Sequence, residues 1–220
     1  SYFHKSVGGY HPAKLRIYQD LIERYLSNPN EQILGMLNTK YIIATNQNTN
    51  QQVLIPNAGK AYGNCWLVKN VKFVSDRVAA INDIEHTNLK DTAIVDQSAS
   101  STVSQPSWDS LSTIKQTSFS NDTIVYQANC NGAQFAVFSE IYYPKGWNAY
   151  IDEKPASYVN CNYVLRGMSI PSGNHTIKFV FEPASVKLGN NLMFFSSIAI
   201  IFVLLFGLGM TIYEQVAVKK

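Results

Sequence analysis

A chain of 220 residues with a net charge of +3, of which 15 % are charged and 12 % aromatic, is long enough for one cored domain and an appendage. It carries no Lys/Arg cluster of the kind that nucleic-acid binding needs, so nucleic acid is excluded as a partner. Low charge combined with many Asn, Ser, Thr and Tyr suits an extracytoplasmic, β-rich domain better than a cytosolic enzyme.

Residues 1–9 read as an exit segment broken at Gly8-Gly9. From Pro12 the apolar residues Leu15, Tyr18, Ile22, Tyr25 and Leu26 recur three or four apart, which predicts a helix ended by Asn28-Pro29-Asn30. A second short helix is predicted over residues 31–38. Tyr41 to Ala44 predicts a short buried strand, returned by residues 52–55 after a polar turn. Residues 65–75 are strand-like. Residues 76–85 predict a helix with Asp76 as N-cap and Val78, Ile81 and Ile84 at helical spacing. Ala93 to Val95 predicts a strand, and the Ser-rich residues 97–112 predict a linker or long surface loop.

From Thr113 the pattern is β throughout. Strands are predicted over 113–120, 123–129, 134–143, 147–152, 156–159, 164–170 and 175–181, with turns every eight to twelve residues, the last alternating Ile177, Phe179 and Phe181 on one face. The fold expected is mainly β with α: short N-terminal helices, a jelly-roll-like β-sandwich as external domain, and one C-terminal transmembrane helix. The domain division expected is a helical junction over 1–40, an α+β subdomain over 41–112, the β-sandwich over 113–187, the span over 188–213 and a cytoplasmic tail over 214–220.

The span rests on LMFFSSIAIIFVLLFGLGMTIY, residues 192–213, which has no charged side chain. As a helix, this stretch is about 33 Å long, against a bilayer core of about 30 Å. Ser196, Ser197 and Thr211 are compatible with it, because a helical hydroxyl can bond a carbonyl one turn back. Lys219 and Lys220 after the span point to a cytoplasmic C-terminus and an external N-terminal part. The opening SYFHKS has no basic and apolar regions of a secretory signal, so the chain is expected to be the C-terminal piece of a longer polytopic protein. Its expected partners are then the upstream transmembrane helices of the same protein and the lipid bilayer.

Three cysteines leave one unpaired at least. Cys130 and Cys161, each between asparagines, allow a disulfide in an oxidising compartment, or all three are small buried residues. No cofactor and no metal site is expected: His4 and His11 have no third ligand nearby, and no Cys/His spacing suits zinc. There is no GxSxG, phosphate-binding glycine loop or Cys–His nucleophile motif.

Several stretches together carry a family resemblance: SYFHKSVGGYHPAKLRIYQDLI (1–22), MLNTKYII (36–43), FSEIYYPKGWNAYID (138–152) and YVLRGMSIPSGNHTIKFVFEP (163–183), followed by a membrane span. The chain resembles the C-terminal part of a bacterial YfhO-type membrane protein. The resemblance implies many upstream transmembrane helices, a β-rich extracytoplasmic domain before the last span, and location in the bacterial cytoplasmic membrane. It also implies likeness to the GT-C glycosyltransferases, which take sugars from polyprenyl-phosphate carriers and act on cell-envelope glycans. Their catalytic carboxylate lies in an early external loop, so no catalytic residue is expected in this chain. A non-catalytic glycan- or protein-binding envelope module is the alternative.

Substrate-binding candidates are the N-terminal group His4, Lys5, Tyr10, His11, Lys14 and Arg16, whose cations suit the phosphate of a lipid-linked sugar or the lipid headgroups. Trp147, with Tyr142, Tyr143 and Tyr150 around Pro144-Lys145-Gly146, is the candidate for stacking on a sugar face, set against ordinary strand packing. Glu140 is expected to pair with Arg166 or Lys145 as a structural ion pair. Asp152-Glu153 is expected at a hairpin tip.

Overall fold

The computed structural model describes residues 6–8, 14–27, 30–57 and 59–218. Its core is a sandwich of two sheets, with helices covering the outer face of one of them. The elements in chain order are α1 (Arg16–Leu21), a π-helical turn (Ile22–Leu26), α2 (Glu31–Met36), β1 (Tyr41–Thr45), β2 (Gln52–Pro56), β3 (Cys65–Val68), β4 (Asn70–Val74), α3 (Arg77–Asp83), β5 (Thr92–Asp96), β6 (Thr113–Phe119), β7 (Thr123–Cys130), β8 (Gln134–Ile141), β9 (Trp147–Ile151), β10 (Lys154–Ala156), β11 (Val159–Cys161), β12 (Leu165–Ile170), β13 (Gly173–Phe181) and α4 (Ala184–Val218).

One sheet has the order β10-β9-β13-β7-β6, the other β3-β8-β12-β11-β5-β4. All pairs are antiparallel except β4 with β5. Those two are joined through α3, as a parallel pair requires a crossover. The six-stranded sheet draws strands from both sides of residue 113, so β3, β4 and β5 share a sheet with β8, β11 and β12.

The alternation along β8 explains the layering. Ala136 and Phe138 point between the sheets and join Ile124, Tyr126, Met168, Ile177 and Phe179. Phe135 and Val137 point the other way, into a second core with Leu21, Tyr25, Ile33, Met36, Ile81 and Ile84 from the helices. Buried on both faces there, β8 reads as an unbroken apolar run from Phe135 to Phe138. The helices are fixed by caps and tertiary bonds. The Asn30 side chain accepts from the amides of Gln32 and Ile33 at 2.9 and 3.3 Å, and that of Asp76 from Ala79 at 2.8 Å. The Tyr25 hydroxyl donates to the Ile81 carbonyl at 2.7 Å and ties the π-helical turn to α3.

Two expectations are corrected. Tyr41 to Ala44 and its return strand are not buried: β1 and β2 pair only with each other, in an exposed two-stranded hairpin. The stretch predicted over 156–159 divides into β10 and β11, which lie in different sheets. Of the two readings of the cysteines, that of small buried residues holds for Cys130 and Cys161: they are free thiols in different cores, Cys130 between the sheets and Cys161 on the helix side. Residues 97–112, expected as a linker or long surface loop, form a mostly exposed loop after one short 3-10 turn, and it is pinned to the sheet. The Gln105 side chain bonds both the amide and the carbonyl of Val71 at 3.0 and 2.6 Å, which satisfies the open edge of β4 as a strand would.

The β9–β10 hairpin turns on Asp152 and Glu153, both at positive φ (50° and 62°), as a two-residue turn with the twist of its strands demands. Asp152 also grips β13: its carboxylate accepts from the Thr176 amide at 2.9 Å and meets His175 Nδ1 at 2.7 Å, while His175 Nε2 faces the Ser172 carbonyl at 3.2 Å. With acceptors at both ring nitrogens, the Asp152 hydrogen bond foremost, the imidazole is pushed above its ordinary range. The bond to His175 likewise holds Asp152 below the usual carboxylate range. The raised imidazole stabilises the fold below its unfolded pKa of about 6.5 and loses this as pH rises through its folded value; the depressed carboxylate stabilises it above about 3.9 and loses this as pH falls through its own. Thermal unfolding of the wild type against His175→Gln should therefore show their largest difference between these limits, with the gap closing towards either side. A difference independent of pH would count against the pair.

The joint between the sandwich and α4 is short. Only Glu182 and Pro183 separate β13 from the helix. The Glu182 amide donates to the Gly146 carbonyl at 2.6 Å. Gly146 has φ +107°, and a Cβ there would lie 2.9 Å from both the Phe181 ring and Pro183 Cβ, so the Pro144-Lys145-Gly146 turn closes onto the joint only because residue 146 has no side chain. Within α4 the 27 residues Ala184–Met210 are long and apolar enough to cross a membrane, and none of that stretch is buried against the sandwich. The alternative of a core helix in a soluble domain does not fit an apolar helix left bare on every side.

Candidate functional site

The candidate site is a cleft of about 270 Å³ between α3, the end of β5 and the β11–β12 turn. Tyr142, Tyr158, Tyr163, Asn160, Asp96, Ser98 and Arg77 give it polar lining, and Ala80, Ile94, Ala99 and Val159 form its apolar floor. That volume lies just below the usual range of small-molecule pockets, about 300–1,000 Å³.

Its back wall is held by an unusual turn. Asn162 and Tyr163 both have positive φ (46° and 69°). For a buried aromatic residue that conformation is costly and is retained only where surrounding contacts enforce it. The contacts here are specific. Asn162 donates its amide to the Ile94 carbonyl at 2.8 Å and accepts from the Ile94 amide through its side chain at 2.9 Å. The Tyr163 hydroxyl donates to Asp20 on α1 at 2.9 Å. Asp20 in turn pairs with Arg16 at 2.8 Å.

The opposite wall is aromatic. Tyr142 and Tyr158 pack edge to face at 5.5 Å. The Tyr158 hydroxyl donates to the Trp147 carbonyl at 3.0 Å. Burial pushes the Tyr158 and Tyr163 hydroxyls up, so both remain protonated donors at neutral pH. Asp96 is the cleft's one lining carboxylate; the Ser98 hydroxyl at 2.6 Å and amide at 2.9 Å hold it below the usual carboxylate range, so it is an acceptor rather than a proton donor. A single ionised carboxylate is not the acid–base pair of a glycosidase. Arg77 is exposed at the rim, and the Asn160 side-chain nitrogen is buried without a hydrogen-bond partner among the described residues. The cleft thus offers hydroxyl donors, an amide, a carboxylate acceptor and one cation, on an apolar floor.

Of the residues singled out from the sequence, His4, Lys5, Tyr10 and His11 lie outside the described residues. Arg16 reaches the back wall through Asp20 and Tyr163, and Lys14 precedes the same helix. Trp147 is tied to the other wall through Tyr158, but one of its faces is taken: the Arg166 guanidinium lies 4.3 Å from its ring centroid, and Phe181 packs on it at 5.4 Å. The edge of Trp147 instead lines a shallow groove with Tyr150, Pro155 and Tyr158 along β9 and β10. Among the described residues no group of His, Cys, Asp or Glu side chains is placed to hold a metal ion. Arg77, Asp96, Tyr158, Asn160 and Tyr163 went unsuspected; the one local hint was the cluster of Tyr and Asn in 158–163, which has no glycine to mark its left-handed turn.

Residues 86–192 match the family model described as bacterial membrane protein YfhO. This segment belongs to that family. No curated protein and no solved structure matches the chain. The YfhO segment runs from just before β5 into the first turns of α4, so it contains every cleft residue except Arg77 and Ala80, together with the joint to the membrane helix.

Proposed function

We propose that this chain is the extracytoplasmic domain and last membrane span of a polytopic, GT-C-like glycosyltransferase of the bacterial cytoplasmic membrane, and that the cleft holds an envelope glycan beside a catalytic loop lying upstream. The domain stands outside the cytoplasm and the C-terminus inside, with the upstream transmembrane helices packed on α4 and a polyprenyl-phosphate-linked sugar as donor. The observation that carries this reading is the cleft lining: three tyrosines, Asn160, Asp96 and Ser98 give a sugar's hydroxyls partners on an apolar floor, and Arg77 suits a phosphate or carboxylate on the same glycan. The N-terminal cations, Lys14 and Arg16 among them, belong in this reading to the membrane-side approach of the lipid-linked donor.

The single, ionised carboxylate of the cleft favours a second reading for the domain taken alone, a glycan-binding module without catalysis of its own. Both readings share one test. The chain in lipid nanodiscs is titrated with neutral and phosphate-bearing envelope glycan fragments, followed by calorimetry and saturation-transfer NMR. Wild type binds, Arg77→Ala loses about tenfold for the anionic fragments only, as one charge-assisted contact of about 1.4 kcal/mol would give, and Tyr142→Phe weakens both. Failure of the wild type to bind any fragment would refute the cleft assignment. Turnover of a lipid-linked sugar by a longer chain that includes the upstream loop, and none by residues 1–220, separates the transferase from the module.

A further inference from the structure

The β1–β2 hairpin is an apolar feature of the domain that nothing covers among the described residues. Its register pairs Tyr41 with Pro56, Ile42 with Ile55, Ile43 with Leu54 and Ala44 with Val53. Both faces are therefore apolar, one carrying Tyr41, Ile43 and Leu54, the other Ile42, Ile55 and Val53. Ile43 is 62 %, Leu54 58 %, Ile55 45 % and Val53 43 % exposed. No charged residue occurs between Lys40 and Lys60.

The position of the hairpin is set by the strands. Its root lies at the end of β8: the Ser139 hydroxyl donates to the Met36 carbonyl at 2.8 Å, and Cys65, shortly after β2, pairs with Phe138. From that end of β8 the chain turns directly into Trp147, which pairs with Phe181, the last residue before the joint to α4. The hairpin thus leaves the sandwich at the end from which the membrane helix leaves, where Phe181 and Phe119 are also exposed.

We infer that this hairpin is a bilayer contact, lying in the headgroup–acyl boundary beside α4. A protein partner with one complementary surface would cover one face and leave the other wet; an apolar medium wets both. The two strands have open edges, whose amides and carbonyls need water or headgroups, so the hairpin sits at the interface and does not enter the hydrocarbon. The uncharged polar tip, Asn46 to Gln51, and the flanking lysines suit the same depth. The contact gives the domain a second foothold on the membrane, independent of what the cleft binds.

The test uses the full chain in phosphatidylcholine vesicles, with nitroxide labels on Ile43→Cys, Leu54→Cys and, as a control at the opposite end of the sandwich, Ser172→Cys. Native thiols interfere little: Cys130 and Cys161 are buried, and burial pushes Cys65 up to about 12. Collision with oxygen should exceed collision with a water-soluble nickel chelate several-fold at positions 43 and 54, and the order should reverse at 172. Labels at 43 and 54 that meet the nickel chelate as readily as 172 would overturn the inference. So would labels shielded from both reagents, the signature of a protein surface or a second copy of the chain packed on the hairpin.

Discussion

Arg166→Ala should destabilise the domain by about 3 kcal/mol, the upper part of the range for losing a buried side chain together with its hydrogen bond and aromatic contacts. Arg166 lies on β12 and is only 3 % exposed, and its Nε donates to the Ile141 carbonyl at 3.2 Å. Its guanidinium is 4.3 Å from the Trp147 ring centroid and 5.1 Å from that of Phe179; burial disfavours its charge, and the Glu140 charge offsets part of that. The cation therefore links both sheets at the end near the membrane joint. Removing it takes away a charge that favours Glu140 and opens the aromatic stack at once. Thermal and urea unfolding measure the loss. Arg166→Met combined with Glu140→Gln, which keeps volume and removes both charges, should recover most of it; equal losses in the single and double variants would show that the guanidinium's own contacts, and neither volume nor the Glu140 charge, are at stake.

Gly167→Ala should cost about 2–3 kcal/mol, the range for overpacking a filled core. A Cβ at this position would lie 2.6 and 2.8 Å from two atoms of the Phe135 ring and 3.0 Å from Cys161 Sγ. Phe135 is fully buried against the helices and has no free space to turn into. Phe135→Leu in the same chain should relieve part of the cost, a non-additivity that unfolding of the two single variants and the double variant would reveal. Gly207→Ala in α4, where nothing lies within 4 Å, should leave unfolding of the sandwich unchanged.

The parts of the fold that were legible are those with a local cause. The uncharged run of α4, the alternation of Ile177, Phe179 and Phe181 in β13, and the Asp76 cap each write their structure within a few residues. Long-range choices were not legible. The apolar run Tyr41 to Ala44 has the composition of a buried strand, and only the absence of a third strand beside it leaves it bare. Residues 65–74 are continuous in sequence, yet β3 and β4 take opposite edges of one sheet. The cleft was the least legible, because Arg77, Asp96, Tyr142 and Tyr163 come from four separate segments and meet only when α3 packs on β5. Arg16 was singled out for its charge, but its link to the cleft depends on Asp20 and on a tyrosine held at positive φ, which no nearby glycine announces.

The close fit of Gly146 on Pro183 has a mechanical consequence. A domain joined to its membrane helix by a flexible tether samples many heights and tilts; one joined through two residues, with the Glu182 amide bonded to the turn before β9, has no such slack. Any rocking of α4 is passed to β13 and β9 as a lever passes torque, and from β9 through the Tyr158–Trp147 bond to the wall of the cleft. The distance between cleft and membrane is thereby set by the tilt of a single helix.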